Sequence, residues 1–132
     1  MTGRRDGGGD ARRSLGAYGE ARAAEHLESR GYRIVARNVR AGGVEIDLIA
    51  RQGRTLVFVE VKARRSRRFG VPEEAVDARK QERLVRGARA WLAAHRHRGR
   101  ARFDVIILEP DPEADPAAEL RLRHIENAFE TG

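Results

Sequence analysis

The chain has 132 residues, a length that suits one domain with a real hydrophobic core and calls for no second one. It contains no cysteine, which excludes disulfides and thiolate metal sites, and no run approaches the ~20 apolar residues of a membrane-spanning helix. The net charge of +7 points to an anionic partner, nucleic acid ahead of a membrane surface, in a protein expected to be soluble and cytoplasmic. Arginine enrichment alone accounts for the same charge, and against that background the two lysines, Lys62 and Lys80, stand out. Lysine is the compact ammonium whose pKa shifts readily.

Residues 1–13, rich in Gly and Arg and without apolar periodicity, read as a disordered basic tail, leaving residues 14–132 as the single domain. Ser14 to Arg30 predicts a helix capped by Ser14 and ended by Gly31, with Ala17, Ala21, Ala24 and Leu27 on its inward stripe. Glu20 lies beside that stripe, as a ligand at the rim of a buried face or as a boundary glutamate paired with an arginine.

Three strands follow. Tyr32 to Asn38 predicts the first, with Tyr32, Ile34 and Ala36 on one side. Val44 to Ala50 predicts the second, with Val44, Ile46 and Leu48 opposite Glu45, Asp47 and Ile49. In the third, Thr55 to Ala63, the valines at 57, 59 and 61 form a core face, while Leu56, Phe58, Glu60 and Lys62 share the other. A four-residue loop from Arg51 to Arg54 would pair Ala50 with Thr55, Asp47 with Phe58 and Glu45 with Glu60.

That register gathers Glu45, Asp47, Glu60 and Lys62 on one surface. Crowded carboxylates repel, and a divalent cation with a preference for hard oxygen ligands, Mg²⁺ or Mn²⁺, would relieve the conflict. Glu45 has an alternative, since it lies near enough to the edge to turn toward an arginine.

Arg64, Arg65, Arg67 and Arg68 follow the third strand directly, as a loop that grips a phosphodiester backbone or as a solvated basic surface. Val71-Pro72 opens a long helix reaching about Ala94, with Val76, Leu84, Ala88 and Trp91 inward and Lys80 interrupting the stripe. Lys80 is grouped with the arginines as a nucleic-acid contact, and Trp91 is assigned to the core. His95 and His97 could chelate a metal only in an extended segment, and they sit at a helix end. Arg102 to Leu108 predicts an interior strand, Glu109 to Glu119 an exposed acidic loop, and Leu120 to Ile125 a short final strand. The fold class is therefore α/β, a mixed sheet flanked by helices in the order αβββαβ plus a short C-terminal strand.

The combination of Glu20, Asp47 and Glu60-Val61-Lys62 resembles the PD-(D/E)XK nuclease superfamily, of restriction-endonuclease-like fold. Within it the chain is similar to the uncharacterised bacterial YraN-like family, which is itself similar to archaeal Holliday-junction resolvases. The likeness rests on Gly19-Glu20, Gly31-Tyr32, Arg37-Asn38, Glu45 to Ala50, Phe58 to Arg64, Lys80, Arg102 to Val105 and His124 to Phe129. Val44 departs from the Gly common before Glu-Ile-Asp, which bears on how closely a backbone approaches that strand end. The resemblance implies a metal-dependent DNA endonuclease in which Asp47, Glu60, the Val61 carbonyl and Glu20 serve a Mg²⁺ or Mn²⁺ ion. Lys62 would then orient or deprotonate the attacking water.

The expected partner is DNA, with a homodimer as a further association and no membrane. Two other readings stand beside the enzyme: a catalytically weak or silent nucleic-acid-binding module of the same fold, and an interaction protein whose acidic cluster and basic loop merely form internal ion pairs. The intact Asp47, Glu60 and Lys62 favour the first, because phosphodiester hydrolysis needs an activated water and neutralisation of developing charge.

Overall fold

The structure is a computed structural model that describes the backbone of residues 7–66 and 78–129, with side chains described from Leu15 onward within those ranges. In chain order the elements are α1 (Gly7–Ser29), β1 (Arg33–Ala41), β2 (Val44–Gln52), β3 (Thr55–Ala63), α2 (Ala78–His95), β4 (Ala101–Glu109) and β5 (Arg121–Phe129). The strands form one sheet in the order β1-β2-β3-β4-β5. All neighbours are antiparallel except β3 and β4, whose parallel pairing needs a crossover, and α2 lies within that connection. This is a mixed α/β architecture consistent with the restriction-endonuclease-like fold.

The two faces of the sheet carry separate cores. Ala23, Ala24 and Leu27 of α1 pack with Val57 and Val59 of β3 and Ile106 and Leu108 of β4. On the opposite side Leu84, Ala88 and Trp91 of α2 cover Leu56, Phe58 and Phe103. Phe58 sits edge-on to Trp91 and stacks on Phe103, which stacks in turn on Phe129 of β5. Trp91 is thus core, as its spacing predicts. β4 is buried on both faces over most of its length, which explains its Val-Ile-Ile-Leu run.

Several local expectations need correcting. α1 begins at Gly7, so Ser14 lies within the helix and part of the expected basic tail is helical. Ala11, Arg12 and Arg13 are good helix formers, and the helix continues through them despite the glycines at 7–9. Its inward stripe is Gly19, Ala23, Ala24 and Leu27, while Ala17 and Ala21 are exposed. The expected start of the second helix at Pro72, and Val76, lie outside the described residues. β5 runs for nine residues and is no shorter than the other strands. Glu109 belongs to β4 and is fully buried beside Arg121 and Arg123, so the exposed acidic loop begins after it.

The β2–β3 hairpin is tighter than a four-residue loop. Gln52 pairs with Thr55 and Leu48 with Val59, because Gly53, at φ +61°, opens a two-residue turn. The shift is two residues, which preserves which side chains share a face. Strict alternation fails elsewhere in β2. Val44 and Ile46 pack under α2 with Ile49, whereas Leu48 and Ala50 pack under α1. The strand therefore exchanges its faces around Asp47. β1 makes a similar exchange where its register slips between Ile34 and Ala36.

Close approach of each helix to the sheet depends on a glycine within it. A Cβ on Gly87 of α2 would stand 3.1 Å from the Val44 Cβ, so a small residue on the helix accommodates the larger residue on the strand. A Cβ on Gly19 of α1 would stand 2.9 Å from the Ala63 Cβ. That contact holds the start of the described α1 packing against the end of β3.

A buried polar network ties β4, β5, α1 and the start of β1 together. Asp104, 1% exposed, accepts from Arg102 Nε at 2.9 Å and from the Asn127 amide at 3.0 Å, and lies 2.7 Å from His124 Nε2. Burial works against the Asp104 charge, but the bonds from His124, Arg102 and Asn127 outweigh it and hold the carboxyl below its ordinary range. Arg102 also donates to the Tyr32 hydroxyl, and His124 Nδ1 lies 3.2 Å from His26 Nε2 on α1. Burial, then the neighbouring His124, lowers the His26 pKa.

Candidate active site

Glu60, Val61 and Lys62 occupy the end of β3 where it meets the altered stretch of β2. The β2–β3 ladder runs to Leu48↔Val59, and beyond it the Val61 N–H donates to Asp47 Oδ2 at 2.9 Å. Asp47 and Glu60 both line a pocket of about 210 Å³, together with Glu45, Lys80 and Arg83. Glu60 is 7% exposed. In the parallel register Glu60 is matched with Val105 and Lys62 with Ile107, so the site has an apolar neighbour on its inner side.

A buried carboxylate in such surroundings needs partners. Glu60 Oε2 has two, Lys80 Nζ at 2.7 Å from α2 and Lys62 Nζ at 3.2 Å from its own strand. Lys80, grouped with the phosphate-binding arginines on sequence grounds, therefore sits in the carboxylate site. The two ammonium groups are not equivalent. Burial, followed by the hydrogen bond to Lys80, lowers the Lys62 pKa. Burial also opposes the Lys80 charge, but its bond to Glu60 more than offsets that, and its pKa is raised. The shorter contact to Glu60 explains the difference, and Lys62 is the lysine that gives up its proton first.

Asp47 accepts the Val61 N–H, and its charge is felt by Lys80 across the pocket. Burial and then the Glu60 charge push its carboxyl up to about 7, against a smaller opposing effect of the Val61 amide. Glu20 and Glu45 add to the upward push. Glu20 reaches this neighbourhood from the inward side of α1, one residue after the close contact of Gly19 with Ala63.

The structure thus brings Asp47, Glu60, Lys62 and Lys80 together, with Glu20 near enough to be felt electrostatically. Glu45 is exposed and opposite Arg40 in the β1–β2 register, yet it lines the same pocket and is felt by Asp47 as the weakest of the neighbouring carboxylates. Among the described residues no group of three or more His, Asp and Glu side chains is arranged to hold a metal ion. Two hard carboxylates remain, and Mg²⁺, which keeps several of its waters, is commonly held by one or two. The donor set fits such an ion, since Asp47 is the group left short of positive charge.

Arg64 and Arg65 continue from β3, the former donating its amide to the Leu108 carbonyl, while Arg67 and Arg68 lie outside the described residues. His95 and His97 do not form a chelating pair: His95 Nδ1 lies 2.9 Å from the Trp91 carbonyl and His97 Nε2 lies 3.0 Å from the Arg100 carbonyl. The polar network around Asp104 was not legible from spacing, because its members come from four separate elements. The only hint was a charged Arg-x-Asp within an otherwise apolar strand.

Comparison with known sequences gives a single consistent result. The family profile described as uncharacterised protein family UPF0102 matches residues 19–108, more than half the chain. The chain belongs to that family. A UPF0102 protein of Symbiobacterium thermophilum is 53% identical over 118 residues, covering 89% of this chain and 97% of the relative. A UPF0102 protein of Geobacter sulfurreducens is 48% identical over 123 residues, covering 88% of each. The UPF0102 match spans the end of α1, the whole of β1 to β3 and most of β4, and so includes Glu20, Asp47, Glu60, Lys62 and Lys80.

Proposed function

We propose that this UPF0102 protein is a metal-dependent DNA endonuclease or resolvase-like phosphodiester hydrolase of the PD-(D/E)XK superfamily. The observation that carries the reading is the Asp47 carboxyl, raised to about 7 beside Glu60 in a pocket that Lys80 also lines, with Lys62 in contact with Glu60. A perturbed carboxyl and a second buried carboxylate in one concavity, with a lysine of lowered pKa in contact with the second, are the ingredients of a hydrolytic site.

Asp47 and Glu60 would hold a Mg²⁺ or Mn²⁺ ion, with the Val61 carbonyl and Glu20 as further oxygen donors. When bound, such an ion acidifies a water and neutralises charge developing on phosphate oxygens. The Val61 N–H fixes the Asp47 carboxylate toward the end of β3. Lys80 holds Glu60 from α2 and keeps its charge, so it serves as a positioning residue. Lys62, whose proton is more easily lost, orients the attacking water and exchanges a proton with it. Arg64 and Arg65, at the exit of β3, steer the phosphate backbone toward this end of the sheet.

One observation favours a second reading, a DNA-binding module without catalysis: Glu60 is already engaged by two ammonium groups, which compete with a cation for its oxygens. A cleavage assay on linear, nicked, flapped and four-way DNA, with Mg²⁺ and with Mn²⁺, separates the two. Cleavage of any of these substrates that is lost in Glu60→Gln supports the enzyme. DNA binding without cleavage on every substrate supports the module.

A further inference from the structure

The far end of α2 borders a second concavity, about 720 Å³, on the same side of the sheet as Glu60. Its floor is apolar and aromatic, built from Leu56, Trp91 and the part of β1 around Val35, which is the only large hydrophobic side chain exposed among the described residues. Its rim carries Arg40, Arg51, Arg96 and Arg98, all exposed, and among the described residues no acidic one lines it. The cavities beside Tyr18, Asp47 and Arg102 each include carboxylates. Here no carboxylate among the described residues lines the cavity beside the arginines.

Two details of the groove go beyond what packing requires. The His95 ring is exposed and stacks on Trp91, centroids 3.8 Å apart and planes 13° from parallel, with its Nδ1 held near the Trp91 carbonyl. A flat π-face is thereby presented to solvent. The other detail is Arg96. Both helices end with the same pair of backbone bonds, Tyr32 N to Leu27 O with Gly31 N to Glu28 O, and His97 N to Leu92 O with Arg96 N to Ala93 O. The left-handed residue of that motif is Gly31 in α1, at φ +88°, but Arg96 in α2, at φ +52°. An L side chain is strained there and glycine is not. The position keeps an arginine that faces the groove.

We propose that this groove binds a single-stranded nucleic-acid segment, with a base stacked on the His95–Trp91 pair and phosphates on Arg51, Arg96 and Arg98. The proposal rests on the nucleic-acid reading above and adds the path of the strand. Lys80 and His95 mark opposite ends of α2, separated by about 22 Å at the helical rise of 1.5 Å per residue. A strand whose scissile phosphate lies at Glu60 would run along α2 to reach the groove. An arginine rim alone would suit a duplex equally well. The exposed aromatic face and apolar floor suit unpaired bases, whose π-faces are available for stacking.

Trp91 is the only tryptophan in the chain, so its fluorescence reports on this groove without a label. The full chain, in chelator so that no cleavage intervenes, is titrated with a short oligothymidylate and separately with a duplex of equal length. Saturable quenching by the single strand is expected, with weaker quenching by the duplex. The Arg51→Ala/Arg98→Ala double variant should bind about tenfold more weakly, a loss typical of removing phosphate contacts, at an unchanged thermal midpoint. Arg96→Gly should raise the thermal midpoint, because glycine relieves the strain, and still weaken binding. No quenching, equal quenching by duplex, or undiminished affinity in the variants would overturn the proposal. Cleavage with a silent Trp91 would remove the groove and leave the nuclease; quenching without cleavage would do the reverse.

Discussion

Asp47 Oδ2 accepts the Val61 N–H at 2.9 Å, just past the last paired residues of the β2–β3 ladder. A side-chain carboxylate thus does what a backbone carbonyl of β2 would do in a regular hairpin. The bond aims Asp47 at the same strand end that carries Glu60 and Lys62. It also explains how the site tolerates a strand that exchanges its faces: the unpaired amide is satisfied where the ladder stops.

The raised Asp47 pKa has a sign that can be measured. With chelator present, the native state keeps a proton on this carboxyl up to about pH 7, whereas the unfolded chain loses it in the ordinary carboxylate range. Between those limits the native state binds more protons, so its stability falls as pH rises, and the penalty is complete above about pH 7. Asp47→Asn retains an oxygen for Val61 and removes the titration. Urea unfolding from about pH 4 to about pH 8 should show wild type losing stability relative to Asp47→Asn; parallel curves would contradict the assignment.

Gly19→Ala should loosen α1. The new Cβ would stand 2.9 Å from the Ala63 Cβ, and both are rigidly attached to backbone, so the helix must shift. Overpacking of this kind costs on the order of 1–3 kcal/mol. Denaturant unfolding gives the stability loss, and the DNA cleavage rate should fall with it, because Glu20 moves outward with the helix. A variant as stable as wild type would show that the contact is not tight.

The strands and helices were largely legible in the sequence because each carries a regular apolar period, and Glu60-Val61-Lys62 could be placed on one strand end by alternation alone. What the period could not show was where it breaks. The face exchange at Asp47 and the slip near Val35 depend on packing against helices distant in sequence, and the hairpin register turned on the backbone freedom of Gly53. The inward stripe of α1 was misplaced because alanine is equally at home on either side of a helix. The spacing sets Lys80 beside the apolar stripe, yet its partner Glu60 lies twenty residues away and on the sheet, a pairing that spacing does not encode.

Lys62→Arg should keep most DNA affinity and lose most cleavage. Both side chains are cationic, but a guanidinium is bulkier, planar and effectively never deprotonated, so it cannot share a proton with the attacking water. A misplacement of ~1 Å costs on the order of 10²-fold in rate, and single-turnover kinetics should show a loss of that size. Unchanged kinetics would reduce Lys62 to a counter-charge for Glu60.

Asp104→Ala should be among the most destabilising single changes in the protein. It strips Arg102 and His124 of a carboxylate that is 0% exposed in its side chain and leaves their polar groups without it. Breaking one partner of a buried charged pair typically costs ~3–5 kcal/mol. Equilibrium unfolding in urea measures it, and a loss below ~1 kcal/mol would mean that the network is incidental.

The most direct test of the proposed site is single-turnover cleavage of labelled DNA in Mn²⁺ by wild type and Asp47→Asn, with binding of the same DNA measured in parallel. Wild type is expected to cut and to stop cutting when the ion is chelated. Asp47→Asn is expected to bind DNA with little change and to cut at least ~10²-fold more slowly, on the scale of losing charge stabilisation in the transition state. Cleavage by Asp47→Asn at the wild-type rate, or DNA left uncut by wild type on every substrate form, would contradict the account.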